Sequence, residues 1–342
     1  MLARRGHQAA AAIALAGASL LLCACGPKTA TASAPATPGG QGGSTTPSAL
    51  PRSASPSAAP SQAAALNGTA GNGLTISNGT RYVVENGTVV DFGTAVRDLA
   101  WSYDGRKAVF VDGDGDLVTS NPDGSGRVVV ARNPGGQTWS HPTWQYRAKD
   151  PRDGYNADMN AILFAVRPNG GTSRLYGIDA RAVNGVPRLL GLDAESGPNV
   201  KPLPQTGNSW PSAGGSHGTS VYANTGDGDV YIRDDYLRQQ GGAMTAGSQP
   251  AVPAAPAQGS PAEGEVVFVR SVGGHDHLFL ERGTSATDLT PNAATDYTEP
   301  AVSPDGRTVA ARTPDGIVTL TLDGSHTPVK VSDHLGLPAY RP

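Results

Sequence analysis

Cysteine is almost absent. Cys23 and Cys25 are the only two in 342 residues, and both lie at the end of the N-terminal apolar run. The rest of the chain therefore has no disulfide framework and no cysteine-based metal or nucleophile site. Charge is also scarce, at 16% of residues with a formal net of −3, so there is no basic footprint for nucleic acid. Past Gly26 no stretch is continuously apolar for long enough to cross a bilayer as a helix. What is plentiful is glycine, 45 residues, and proline, 28, the composition of a turn-rich all-β domain.

The N-terminus has a separate character. Arg4 and Arg5 precede an apolar run from Ala9 to Leu22, the length of a signal-peptide core. The run ends in Leu22-Cys23-Ala24-Cys25-Gly26, which resembles the lipobox of bacterial lipoproteins. The resemblance implies removal of residues 1–24 and acylation of Cys25 by chains such as palmitate. The protein would then be held on the extracytoplasmic face of the cell membrane through its N-terminal lipid. Cys23 is the poorer match, because the bulky Leu22 would occupy its cleavage position. From residue 25 to 71 the chain is Ala, Pro, Ser, Thr and Gly with almost no large apolar residue. Such a run cannot bury enough surface to offset its ordering entropy and is expected to be a tether. The folded domain is expected over residues 72–342.

That domain repeats. Glu299-Pro300-Ala301-Val302 has five relatives: Asp98-Leu99-Ala100-Trp101, His141-Pro142-Thr143-Trp144, Trp210-Pro211-Ser212-Ala213, Gln249-Pro250-Ala251-Val252 and Leu337-Pro338-Ala339-Tyr340. After each of the first five comes a turn-rich segment and then a short apolar strand, such as Lys107–Phe110, Ala161–Phe164 or Glu265–Phe268. Further strands follow, as in Ser173–Asp179 and His277–Leu280. A period of about 40 to 50 residues with four strands is that of a propeller blade.

Trp101-Ser-Tyr-Asp-Gly105 and Val302-Ser-Pro-Asp-Gly306 resemble the Trp-Ser-Pro-Asp-Gly repeats of TolB-like β-propellers. Asn121-Pro-Asp-Gly-Ser-Gly126 and Leu322-Asp-Gly-Ser325 are similar to the family's turn into the last strand. The middle units lack the Asp-Gly turn, and an insertion near Arg147–Asn160 lengthens the second.

The sixth tetrad is followed only by Arg341 and Pro342, so its blade has one C-terminal strand. Leu74–Ile76, Thr80–Glu85 and Thr88–Phe92, separated by the hairpin signals Asn78-Gly79 and Asn86-Gly87, would supply the other three. The expected fold is all-β: a six-bladed β-propeller of four-stranded antiparallel blades, closed by a composite blade of N- and C-terminal strands. Closure removes exposed sheet edges, and a monomer is expected.

Chemistry is harder to locate. Gly214-Gly-Ser216-His-Gly218 matches the G-x-S-x-G elbow, but a strand, Thr219–Tyr222, stands where the elbow needs a helix. Asp112-Gly-Asp-Gly-Asp116 and Thr225-Gly-Asp-Gly-Asp229 have alternate carboxylates without the later bidentate Glu of a calcium loop, and read as hairpin turns. His275 and His277 flank Asp276 in what reads as another solvated turn. Asn67, Asn78 and Asn86 begin N-x-T sequons and are taken as linker and turn residues. No metal, cofactor or catalytic residue is expected.

If the first strand of each blade lines the channel, the residues before the tetrad prolines ring one mouth. They are Asp98, His141, Trp210, Gln249, Glu299 and Leu337, with Arg97, Trp139 and Tyr297 as neighbours. Mixed charge, aromatic surface and hydrogen-bonding groups suit a peptide or protein of the cell envelope better than one hard cation. A non-catalytic binding scaffold is the expectation. A propeller enzyme, such as a metal-dependent lactonase, a lyase or a hydrolase, is the alternative, weakened because only Asp98 and Glu299 of the six are acidic.

Overall fold

The computed structural model describes residues 65–149, 157–194, 200–214, 217–234, 240–254, 264–323 and 327–342. The expected signal segment, Cys25, the expected tether through residue 64, and Ser216 lie outside the described residues.

The described chain is a succession of short strands. The first three are β1 (Leu74–Ser77), β2 (Tyr82–Glu85) and β3 (Thr88–Asp91). Blade I follows with β4 (Arg97–Trp101), β5 (Ala108–Val111), β6 (Leu117–Ser120) and β7 (Val128–Ala131). Blade II has β8 (Gln137–Arg147), β9 (Met159–Pro168), β10 (Arg174–Asp179) and β11 (Arg188–Leu189). Blade III has β12 (Asp193–Ala194), β13 (Asn208–Gly214), β14 (Thr219–Asn224), β15 (Asp229–Asp234) and β16 (Gln240–Ala246). Blade IV has β17 (Ser248–Ala251), β18 (Val266–Val272), β19 (His275–Arg282) and β20 (Ser285–Asp288). Blade V has β21 (Thr298–Val302), β22 (Thr308–Thr313), β23 (Gly316–Thr321) and β24 (Val329–Ser332). The last strand is β25 (Leu337–Tyr340).

β25 does not stand alone. It pairs antiparallel with β1, Leu74 opposite Tyr340 and Ser77 opposite Leu337, in a sheet ordered β25-β1-β2-β3. This is the composite sixth blade, blade VI. Every tetrad forms the first strand of its blade, and neighbouring first strands touch in a closed cycle of β4, β8, β13, β17, β21 and β25. Blade III departs from the four-stranded plan: β12 adds a fifth, parallel strand on the outer side of β16.

Apolar residues form the strands, and six buried clusters fill the six seams between blades. Seam VI/I holds Val83, Phe92, Val96, Leu99, Trp101 and Phe110, and seam V/VI holds Leu74, Ile76, Ala310, Ile317 and Tyr340. The composite blade is therefore packed on both sides, like any other. Strands such as β5, Ala-Val-Phe-Val, are buried at every position because both sheet faces meet a neighbouring blade.

The two Ser-x-Asp-Gly turns are built alike. Ser102 Oγ donates to Asp104 Oδ1 at 2.7 Å and Ser303 Oγ to Asp305 Oδ1 at 2.6 Å. Each serine oxygen also accepts the amide N–H five residues on. The closing glycines, Gly105 and Gly306, stand at φ 64° and 68°, conformations cheap only for glycine. Upstream of β1, Gly68 N–H donates to Val331 O at 2.7 Å and Leu66 N–H to Asp333 Oδ2, so the folded part reaches back along β24 to Leu66.

Candidate functional site

The first strands line a channel of about 120 Å³, and four of the six ring residues, Asp98, His141, Trp210 and Leu337, are in its wall. Five of the six share an unusual backbone: Asp98, His141, Trp210, Gln249 and Glu299 have φ of 56°, 50°, 52°, 49° and 53°. None is glycine, and this left-handed conformation costs roughly 1–2 kcal/mol at each. The cause is a β-bulge in each strand, where the register slips between Arg97 and Ala100, Ser140 and Thr143, Ser209 and Ser212, Ser248 and Ala251, and Thr298 and Ala301. In four of these the second bulge residue is proline, which has no N–H to leave unpaired. Leu337 is different. Its strand pairs with β1 without a register shift, and Leu337 lies outside the left-handed region.

Side chains of the ring tie one blade to the next. Asp98 Oδ2 accepts the backbone N–H of His141 at 3.0 Å, and Gln249 Oε1 accepts that of Glu299 at 2.6 Å. The His141 imidazole lies against the Trp210 indole, with ring centroids 3.6 Å apart and planes tilted by 33°. Deeper in the channel, Thr143 Oγ1 accepts from Ala213 N–H and Ser212 Oγ from Val252 N–H.

Between blades V, VI and I the mouth opens into a cavity of about 450 Å³, walled by Asn78, Arg97, Asp98, His141, Glu299, Arg312 and Leu337, among others. Arg312 Nη1 donates to Glu299 Oε1 at 3.0 Å, while the buried Glu299 Oε2 has no hydrogen-bond partner among the described residues. Burial pushes the Glu299 carboxyl above its ordinary pKa, opposed by the Arg312 guanidinium. Burial holds the His141 imidazole below its ordinary value, opposed by Asp98. Arg97 passes over Gly79, its Cγ 3.4 Å from where a Cβ would stand, and makes no ion pair among the described residues.

Four ring residues, Asp98, His141, Glu299 and Leu337, thus meet in one cavity. Trp210 lines the channel beside them, and Gln249 is turned to the Glu299 backbone. Arg312 escaped the sequence reading because it sits on a second strand, where no repeat marks it. Of the expected neighbours, Arg97 reaches the cavity and Trp139 does not. Trp139 is 2% exposed in seam I/II against Phe164, because it points away from the channel. Tyr297 packs at the edge of seam IV/V.

The acidic turns are turns. Asp112 Oδ1 accepts the N–H groups of Asp114 and Asp116, and Asp116 Oδ1 accepts that of Asn133. Among the described residues no group of three or more His, Cys, Asp or Glu is placed to hold a metal ion. His275 and His277 are not in a solvated turn. The turn is Gly273-Gly274, both at positive φ, and the histidines begin β19. His277 is 5% exposed with Nδ1 2.9 Å from Asp288 Oδ2, and His275 Nδ1 lies 3.2 Å from Asp296 Oδ1. Of the G-x-S-x-G match, Ser216 lies outside the described residues, and Thr219 opens a strand.

No protein-family model matches the chain, and no curated protein does. Solved structures are similar in shape. A chain of a nidogen/laminin complex aligns with TM-score 0.51 at 10% identity, covering 79% of this chain and 98% of that one. An oligogalacturonate lyase from Vibrio parahaemolyticus gives TM-score 0.44 at 10% identity, covering 74% and 71%. The Cps50 (Swd1) β-propeller domain of Myceliophteria thermophila gives 0.44 at 11%, covering 82% and 90%. At such identities the likeness concerns the fold, and the chain is a six-bladed β-propeller.

Proposed function

We propose that this is a TolB-like propeller lipoprotein, a non-catalytic scaffold that binds a protein or peptide of the cell envelope at the channel mouth. In this reading residues 1–24 are the signal peptide, and acylated Cys25 anchors a monomer to the extracytoplasmic face of the membrane. The tether that carries the propeller starts at residue 25 and ends at about residue 65, shorter than the expected 25–71, because Leu66 and Gly68 are already bonded to the last strand of blade V and its flank. No cofactor, metal or nucleic acid takes part.

The observation that carries the binding reading is the ring of five non-glycine residues in left-handed conformation around one opening. Strain at five equivalent positions is tolerated where it aims side chains, and here it brings two carboxylates and an imidazole to one cavity with an indole in the channel beside them. Groups of both signs beside aromatic faces match the mixed chemistry of a polypeptide better than one repeated unit. The test is capture from envelope extract by the propeller and by a Trp210→Ala/Arg312→Ala variant, compared by mass spectrometry. Proteins retained by the parent and lost with the variant support the reading. Identical capture by both contradicts it.

A further inference from the structure

Six Asn-Gly dipeptides occur in the described chain: Asn67-Gly68, Asn72-Gly73, Asn78-Gly79, Asn86-Gly87, Asn169-Gly170 and Asn184-Gly185. In flexible chains this dipeptide deamidates. The glycine nitrogen attacks the asparagine Cγ, a C–N bond forms, and the C–NH2 bond breaks to release ammonia. Water then opens the succinimide at either carbonyl to give aspartate or isoaspartate. The attack needs a glycine nitrogen free to give up its proton and to turn toward Cγ. A glycine N–H donating to a fixed acceptor can do neither.

Four of the six are held in that way. Gly68 N–H donates to Val331 O at 2.7 Å, Gly79 N–H to Val96 O at 2.9 Å and Gly185 N–H to Val130 O at 2.8 Å. Gly87 N–H donates to Thr69 Oγ1 at 2.8 Å. Two of these bonds join blade VI to its neighbours, since Val331 lies on β24 and Val96 precedes β4. At Asn72-Gly73 the asparagine amide itself is fixed at both ends, accepting from Leu74 N–H at 3.0 Å and donating to Gly68 O at 2.8 Å. Asn169-Gly170 differs from all of these. It forms the exposed tip between β9 and β10, and neither the Gly170 N–H nor the Asn169 side chain has a hydrogen-bond partner among the described residues.

We infer that Asn169 is the site of spontaneous deamidation in the folded protein, that Asn67 and Asn78 react only when the seams beside blade VI open, and that Asn72 and Asn86 react only when the hydrogen bonds within blade VI that hold them break. The fold thereby protects its own closure. At Asn78, in the cavity wall, either product would place a carboxylate in the same cavity as Arg97, and isoaspartate would also add a methylene to the backbone.

The test is a peptide-mapping time course in mildly alkaline buffer, with and without urea. In the folded protein Asn169 should react at least about tenfold faster than Asn67, Asn72, Asn78, Asn86 and Asn184, the retardation expected of sites that must first open locally. In urea the six rates should converge. Thr69→Val, which removes the oxygen holding Gly87 N–H, should raise the Asn86 rate and leave that of Asn169 unchanged. Equal rates in the folded protein, a held site reacting first, or no change at Asn86 in Thr69→Val would overturn the inference.

Discussion

Asp98 and His141, on adjacent blades, are joined by a hydrogen bond from the His141 backbone N–H to Asp98 Oδ2 at 3.0 Å, and both residues stand at positive φ. One strained position thus supplies the acceptor that holds the next. Gln249 and Glu299 repeat the relationship three blades further on. Two pairs of bulges are linked in this way, so a change at Asp98 or Gln249 reaches the backbone of the next ring residue in its pair.

Asp98→Asn keeps an acceptor and a residue type that tolerates the left-handed region, and should stay within about 0.5 kcal/mol of the parent in urea unfolding. Asp98→Val loses the acceptor and puts a β-branched residue at positive φ. Its expected cost is ~2–3 kcal/mol, from strain plus an unpaired N–H. Equal midpoints for the two variants would contradict the linkage.

How much of this was legible in the residues differs from element to element. The tetrads, the strands after them and the composite blade could be read because Pro-Ala and Asp-Gly signals recur at blade spacing, and because Leu337–Tyr340 lacked partners downstream. The ring membership of Asp98, His141 and Glu299 followed from the same alignment. The bulges were not read, although proline inside a first strand is their signal: a residue without an N–H fits a paired strand mainly at a bulge. Arg312 and the burial of Trp139 depend on which face of a strand turns to the channel, and the shift in register at each bulge reverses that assignment. His277 looked like part of a turn because Gly273-Gly274 is adjacent, while its partner Asp288 lies on another strand.

The pH dependence of stability separates His141 from Glu299. Burial lowers the folded pKa of His141, so protonation favours the unfolded chain. That loss is absent above the ordinary value of about 6.5 and grows as pH falls through it toward the folded pKa. Burial raises the folded pKa of Glu299, so its ionisation favours the unfolded chain. That loss begins as pH rises past about 4.3 and is complete above the folded pKa. Relative to His141→Asn, the parent should therefore lose stability as pH falls below about 6.5; relative to Glu299→Gln it should lose stability as pH rises above about 4.3. Flat difference curves, or curves of opposite slope, would refute the assignment.

The proposed anchor is tested by labelling with a fatty-acid analogue in the native host. Cys25→Ala should abolish incorporation and release the protein from the membrane fraction. Cys23→Ala should leave both unchanged. Incorporation that persists in Cys25→Ala would contradict the lipoprotein reading.

The central claim is closure of the ring by strands from both ends of the chain, and removal of Leu337–Pro342 tests it most directly. Those six residues include all of β25 and the buried Tyr340. They also include Arg341, whose N–H donates to Gly73 O, whose Nε donates to Gly105 O, and whose guanidinium lies 5.1 Å from the Trp101 ring. Tyr340 alone contributes ~2 kcal/mol or more through burial, and the lost strand unpairs β1 and opens two seams. Thermal unfolding of this truncation should show a midpoint lower by about 10 °C or more, whereas deletion of six residues from the expected tether should leave it unchanged. A C-terminal truncation that melts at the parent's temperature would contradict closure by the composite blade.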